Sequence, residues 1–176
     1  PHHSVAHAST QSPRFAVSTM VFGGYTLEEM IRLAMAHDLV LEFSSGLPHR
    51  PDLEALYRKA NCARLPHNYF PAPEKPFLLN LSSLNDELWQ LSVDHCRKGL
   101  DLAAASGAPF FSAHAGYCGD PDSRDLGKKM ATVYPDRRTE YWERFLEAVH
   151  DLAAEAESRK VKFLIENHVV IAENML

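Results

Sequence analysis

The stretch Phe15–Phe43, FAVSTMVFGGYTLEEMIRLAMAHDLVLEF, contains the pattern that decides the fold of this chain. A β-type run over Phe15–Met20 is followed by two glycines and by an amphipathic segment that Thr26 can cap at its N-terminus. Leu39–Phe43 then has the apolar character of a buried strand. Because a strand, a helix and a second strand in this order form a parallel βαβ unit, the stretch predicts a parallel sheet covered by helices.

The same alternation of strands and helices continues through the rest of the chain. Further strands are predicted at Arg64–His67, Pro109–Ala113 and Lys162–Ile165. Further helices are predicted over Asp52–Ala60, from Ser83 to a stop at Gly107, and along the apolar stripe Trp142–Ala156. Ser83, with Asp86 three residues later, resembles a capping box at the start of the second of these helices.

The predicted elements, five strands and four helices in βα order, are compatible with two architectures. One is an open doubly wound sheet, and the other is the first part of a (β/α)8 barrel. The chain has 176 residues, whereas a complete barrel typically takes about 250 and rarely fewer than about 200. A barrel-type α/β fold would therefore be incomplete. Residues 1–13 contain three histidines and lack apolar periodicity, which predicts a flexible leader before a partial barrel domain over residues 14–176.

Composition and charge narrow the class of protein. Apolar residues make up 45% and charged residues 23% of the chain, a balance typical of a globular domain. The net charge of −5 disfavours nucleic acid as a partner. No apolar run approaches the ~20 residues of a membrane span, and the first residues lack the pattern of a signal peptide. Three cysteines without a C-x-x-C pair indicate a reducing compartment, so we expect a cytoplasmic protein.

Imidazole and carboxylate side chains follow four of the predicted strands. They are Glu42, His67, His114, and Glu166 with His168. Active sites of parallel α/β folds lie at the C-terminal strand ends, and these side chains suit Zn²⁺ or Mn²⁺. For any one of these histidines, a hydrogen-bonded loop or core residue is the commoner meaning, but two histidines and a glutamate at successive strand ends make a metal site an equally good interpretation. Glu42 could be a ligand, a base or a hydrogen-bond acceptor behind a ligand, and His168 could lie beside Glu166 or in a loop.

Other polar residues carry weaker signals. His37, His95 and His150 lie on or at the ends of predicted helices, which favours structural roles. Cys118 lies near His114 in the sequence and could be a nucleophile with that histidine as its base. No residue that would orient such a pair is identifiable, so a plain loop thiol is the better interpretation. The basic pairs Lys128-Lys129 and Arg137-Arg138 could contact a phosphate, although a solvated helix start is the commoner meaning of such pairs.

Three segments resemble the third, fourth and fifth strand ends of the xylose-isomerase-like TIM-barrel superfamily. They read LPHNYFPAPEKPFLLNLSS, FFSAHAG and FLIENH, and the similarity runs from about Phe15 to the end of the chain. This superfamily includes sugar phosphate isomerases and epimerases and a branch of apurinic-site endonucleases. The resemblance implies that His67, His114 and Glu166 bind one divalent metal, Mn²⁺, Zn²⁺ or Mg²⁺. In epimerase-like members it also implies that Glu166 is the proton-transfer base, while the histidines can serve substrate binding.

The resemblance implies a metal-dependent isomerase or epimerase acting on a sugar or sugar phosphate through an enediolate. Two alternatives stay open, a hydrolase that cleaves DNA at apurinic sites and a catalytically silent fragment or small-molecule binding module. Members normally supply further ligands from strands six to eight, which this chain does not contain. We therefore expect a longer parent chain or a homo-oligomer.

Overall fold

The computed structural model describes residues 15–122 and 135–167. The described residues form five strands and four α-helices, in the βα order that the sequence predicts. The strands are β1 (Ala16–Ser18), β2 (Val40–Phe43), β3 (Arg64–Pro66), β4 (Phe110–His114) and β5 (Lys162–Glu166). The helices are α1 (Leu27–Ala36), α2 (Leu53–Lys59), α3 (Asp86–Ser106) and α4 (Arg138–Ser158), with short 3-10 turns at Thr19–Val21 and Pro135–Arg137. The predicted leader, residues 1–13, lies outside the described residues.

The first strand is shorter than the sequence predicts. Its extended part ends at Ser18, whose side chain accepts a hydrogen bond from the backbone N–H of Met20 at 3.4 Å. The hydroxyl of Thr19 accepts a hydrogen bond from the backbone N–H of Ser44 at 3.1 Å. Both bonds give a backbone N–H group a hydroxyl partner after Ser18, because hydroxyl side chains compete with the sheet for backbone groups.

The N-terminus of α1 is capped as the sequence predicts. Thr26 is the capping residue, and its hydroxyl accepts a hydrogen bond from the backbone N–H of Glu29 at 3.3 Å. The carboxylate of Glu29 in turn accepts one from the backbone N–H of Thr26 at 2.7 Å. This reciprocal pair is a capping box, and it fixes where the first helix begins.

The predicted capping box at Ser83 and Asp86 is wrong. The side chain of Asn85 caps α3 by accepting hydrogen bonds from the backbone N–H groups of Glu87 and Leu88 at 3.0 and 3.1 Å. Ser83 instead accepts a bond from the backbone N–H of Asn85 at 3.1 Å. The helix begins at Asp86, so the capping position falls two residues after Ser83. At the other end, the predicted stop is confirmed, because Gly107 adopts a left-handed φ of 71°.

The strands lie side by side in the order in which they occur in the chain. β1, β2 and β3 form one parallel sheet, and β4 and β5 form a second parallel pair. A parallel bridge between His67 and Ser112 connects β3 to β4. A doubly wound sheet reverses its strand order, whereas a barrel adds each strand next to the last. The described residues therefore form an incomplete barrel of the TIM type, which is not closed.

Two hydrophobic clusters hold the helices against the strands. One packs α1 and α2 on β2, with the rings of Phe43, Tyr57 and Phe70 in mutual contact. The other packs α3 and α4 on β4. Gly99 on α3 lies so close to the buried Phe111 that a Cβ atom there would lie 2.3 Å from the ring. The polar residues at the strand ends are consequently supported by a close-packed hydrophobic core.

The two longest helices, α3 and α4, have 21 residues each. That length would suffice for a membrane span, but both helices carry many charged side chains. No helix in residues 15–122 and 135–167 is both long and apolar enough to cross a membrane.

Candidate metal centre

The structure brings together the three residues that the sequence analysis selected at successive strand ends. His114 ends β4 and Glu166 ends β5, and the two residues are register partners in the parallel pair. His67 follows β3 directly and bridges to Ser112 on β4. Parallel neighbours end at the same edge of the sheet, so these side chains meet there. One nitrogen from each histidine and one oxygen from Glu166 all lie within 4.8 Å of one another.

One carboxylate oxygen faces both imidazole rings. Oε2 of Glu166 lies 3.2 Å from Nε2 of His67 and 3.8 Å from Nε2 of His114. The ring centroids of the two histidines are 6.1 Å apart, and the ring planes are nearly perpendicular. Two imidazole nitrogens and a carboxylate are a common donor set for Zn²⁺ and Mn²⁺. The arrangement is therefore able, on chemical grounds, to hold a divalent ion.

Glu42 approaches His67 from the side opposite Glu166. Its Oε1 lies 3.4 Å from Nδ1 of His67, which is buried and has no well-directed hydrogen bond. The contact with His67 lowers the pKa of Glu42 despite burial. Of the three interpretations of Glu42, the geometry favours an acceptor behind His67, because a carboxylate at the outer nitrogen orients the ring.

The two histidines have opposite electrostatic environments. Burial disfavours the charged form of His67, but the carboxylates of Glu42 and Glu166 outweigh it and raise its pKa. Burial lowers the pKa of His114, with Glu166 opposing this effect and His67 adding to it. His114 therefore favours its neutral form, whereas a proton on His67 would compete more strongly with an ion at this site.

Asn68 is a site residue that the sequence analysis missed. It is buried, with 2% of its surface exposed, and has a left-handed φ of 44°. Its Nδ2 lies 3.3 Å from Nδ1 of His114, and its Oδ1 accepts a bond from the backbone N–H of His114 at 3.4 Å. Its backbone N–H donates to the carbonyl of Ser112 at 2.9 Å. The available signal was an asparagine directly after a strand end, since asparagine tolerates the left-handed region.

His95 forms a hydrogen bond with the backbone of Asn68. Its Nε2 lies 3.1 Å from the carbonyl oxygen of Asn68, and its ring contacts those of Tyr69 and Phe77. Burial lowers the pKa of His95 to about 4. A neutral, buried and hydrogen-bonded ring is structural, in agreement with the sequence-based interpretation.

Asn80 connects the loops that follow β3 and β4. Its buried amide donates to the carbonyl of Gly119 at 2.7 Å and to Asp120 at 2.9 Å. Its carbonyl oxygen accepts bonds from Ser82 and from the backbone N–H of Tyr117. A Cβ atom at Gly116, which has a φ of 119°, would lie 2.3 Å from that oxygen. The segment after His114 is thus held in one conformation by a residue that the sequence analysis did not single out.

A groove of about 150 Å³ begins one residue beyond His114. Its walls combine aromatic rings with hydroxyl and thiol groups: Ser82, Ala115, Gly116, Tyr117, Cys118, Tyr141, Trp142 and Phe145. Burial raises the pKa of the Cys118 thiol, which disfavours the reactive thiolate and agrees with a plain loop thiol.

The remaining candidates that the structure describes lie on or beside helices. His150 is an exposed residue on α4, and His37 ends α1. Arg137 is engaged by Glu140, with nitrogen to oxygen distances of 2.7 and 2.8 Å. His168 and the pair Lys128-Lys129 lie outside the described residues.

The family model for the xylose isomerase-like TIM barrel matches residues 22–172 of the chain. The chain belongs to this family. Its strand order and the position of its polar strand ends agree with that assignment. No match is found among curated protein sequences.

Several solved structures share the fold. A D-tagatose 3-epimerase-like protein is 16% identical with a TM-score of 0.63, and the match covers 91% of this chain and 55% of that one. D-psicose 3-epimerase from Clostridium cellulolyticum is 16% identical with a TM-score of 0.59, covering 93% and 54%. A Thermus thermophilus protein, TTHB071, soaked with ZnCl2, is 23% identical with a TM-score of 0.54, covering 88% and 55%. The chain thus spans about half the length of the structures that it matches.

Proposed function

We propose that this chain contributes part of the active site of a metal-dependent isomerase or epimerase for a sugar or sugar phosphate. His67, His114 and Glu166 would bind the divalent ion, and Glu166 would also transfer the proton. The observation that carries the proposal is the convergence of these three side chains within 4.8 Å. The xylose isomerase-like family and the epimerases among its structural neighbours support the choice of reaction class.

The donor set fits a divalent ion in its dimensions. Two tetrahedral zinc ligands at about 2.0–2.1 Å from the ion lie about 3.3 Å from each other. The distances from Glu166 Oε2 to the two histidine Nε2 atoms, 3.2 and 3.8 Å, bracket this value. Glu42 contacts Nδ1 of His67, the ring nitrogen that would face away from the ion. Metal-bound histidines commonly have a carboxylate at this second nitrogen. Further ligands from outside the described residues would complete the coordination.

The proposed mechanism uses these residues as follows. A bound divalent ion would polarise the carbonyl and the adjacent hydroxyl of the substrate. The carboxylate of Glu166 removes a carbon-bound proton, and the electron pair of the C–H bond moves toward the carbonyl to give an enediolate. Return of a proton to carbon gives the epimer or isomer. Glu42 orients His67, and the packed strand ends hold both histidines in place during the transfer.

The charge of the chain supports a sugar over DNA as the proposed substrate. An endonuclease needs several cationic contacts to phosphate, whereas this chain has a net charge of −5. Of the basic pairs considered above, Arg137 is already neutralised by Glu140. Within the described residues, β5 pairs with β4 alone, and its side chains Leu164 and Ile165 are exposed. The longer parent chain or homo-oligomer expected above stays a prediction.

The test uses the protein encoded by the complete gene, loaded with Mn²⁺ or Zn²⁺. Exchange of a substrate C–H proton with deuterated solvent is measured by NMR over a panel of ketoses and their phosphates. We expect exchange with at least one substrate, its abolition by Glu166→Gln, and no effect of Glu140→Gln on the surface of α4. Cleavage of a duplex that contains an abasic site, without any C–H exchange, would contradict the proposal and favour the endonuclease alternative.

A further inference from the structure

The side chain of Asn68 holds the outer nitrogen of His114. Its Nδ2 lies 3.3 Å from Nδ1 of the ring, while its Oδ1 accepts a hydrogen bond from the backbone N–H of the same histidine. The backbone N–H contributes the donor in the second bond, so it selects the oxygen of the amide. The NH₂ group is consequently the part of the amide that faces the imidazole.

This orientation determines where a neutral His114 ring carries its proton. An amide NH₂ group only donates, so Nδ1 of His114 must accept and cannot itself carry the proton. The proton is therefore on Nε2, the nitrogen that faces Glu166 at 3.8 Å. A protonated Nε2 has no lone pair for a metal ion. In the arrangement described here, His114 is thus in the tautomer that does not bind metal through Nε2.

We infer that Asn68 is a positioning residue that couples the tautomer of His114 to metal binding through rotation of its amide. After a half-turn, Oδ1 accepts from Nδ1–H, and the Nε2 lone pair becomes available to the ion. The same rotation turns the NH₂ group toward the backbone N–H of His114, so that hydrogen bond is lost. The amide orientation described here therefore favours the Nε2–H tautomer, and metal binding through Nε2 is coupled to the half-turn of Asn68. This inference rests on the metal site proposed above.

The Asn68→Asp substitution tests whether Asn68 controls the tautomer of His114 or has only a structural role. Aspartate has nearly the same shape and also tolerates a φ of 44°. Both of its side-chain oxygens accept, so one can receive the backbone N–H of His114 while the other receives Nδ1–H. The variant should hold His114 permanently in the metal-binding tautomer. Asn85→Asp is the matched control, because it makes the same substitution at the exposed cap of α3, where aspartate also serves.

The first readout needs no metal and no activity. The imidazole ¹⁵N resonances of His114 report its tautomer directly, at a pH about two units above the ordinary imidazole pKa of about 6.5. We expect the Nε2–H form in the metal-free wild type and in Asn85→Asp, and the Nδ1–H form in Asn68→Asp. The second readout is zinc affinity, measured by competition with a chromophoric chelator. We expect Asn68→Asp to bind zinc about tenfold more tightly or better, a change typical of the groups behind metal ligands.

The outcomes separate this inference from the proposed function. An unchanged tautomer in Asn68→Asp would overturn the role of Asn68, even if the added negative charge tightened zinc binding. A switched tautomer with unchanged zinc affinity would also overturn it, because coupling to the metal would be absent. A wild-type protein that binds no zinc would contradict the proposed metal site instead, and with it the coupling that depends on that site.

Discussion

Glu42→Gln tests whether the carboxylate behind His67 matters to the metal centre. At 3.4 Å, the attraction between Glu42 and a positive charge on His67 is about 5 kcal/mol for an effective dielectric constant of about 20. The effect on metal binding is smaller, because a metal-bound His67 is a neutral ring that donates its Nδ1–H to Glu42, and glutamine keeps an acceptor oxygen for this bond. Losses of about 10–100-fold are typical for such partners, so we expect zinc affinity to fall about tenfold or more.

The same substitution should lower the pKa of His67, because Glu42 is one of the two carboxylates that raise it. Zinc affinity is measured by chelator competition, and the pKa by NMR titration of the His67 ring in the metal-free protein. Glu28→Gln is a matched control, since Glu28 pairs with Arg50 at the start of α1. If Glu42→Gln changed neither the zinc affinity nor the pKa of His67, the argument that Glu42 orients and charges this ring would be refuted.

Two further predictions concern stability. The unfolded state of this chain binds a proton at His95 at about pH 6.5, but the folded state binds it only at about pH 4. Lowering the pH through this window should therefore reduce the free energy of unfolding by up to about 3 kcal/mol. The His95→Gln variant should show a weaker dependence of this free energy on pH. Urea denaturation at several pH values measures it for both proteins. Gly99→Ala should destabilise the protein by about 1–3 kcal/mol, because the new Cβ would collide with Phe111. Gly23→Ala, where a Cβ meets nothing within 4 Å, should leave the urea midpoint nearly unchanged, and equal midpoints for the two variants would contradict the packing argument.

The order of elements could be predicted from the sequence because it depends on local patterns. The helix start at Thr26 and the stop at Gly107 follow from the chemistry of single residues, and the structure confirms both. The start of α3 could not be placed, because Ser83 and Asn85 are both good capping residues, and only the structure identifies Asn85 as the cap. The strand order, which separates a barrel from a doubly wound sheet, depends on pairing between distant segments, and the periodicity of the sequence does not encode it.

The candidate site also combines features that the sequence predicts with features that only the tertiary structure determines. The sequence by itself selected His67, His114 and Glu166, because side chains that end successive parallel strands must meet at one edge of the sheet. Only the tertiary structure decided that Oε2 of Glu166 faces both rings and that Glu42 stands behind His67. The contact of Asn68 with His114 was equally beyond the sequence, since it joins residues 46 positions apart. Hydrogen bonds act over about 3 Å in fixed directions, so the partners of a side chain depend on the placement of whole strands and not on the residues beside it in the chain.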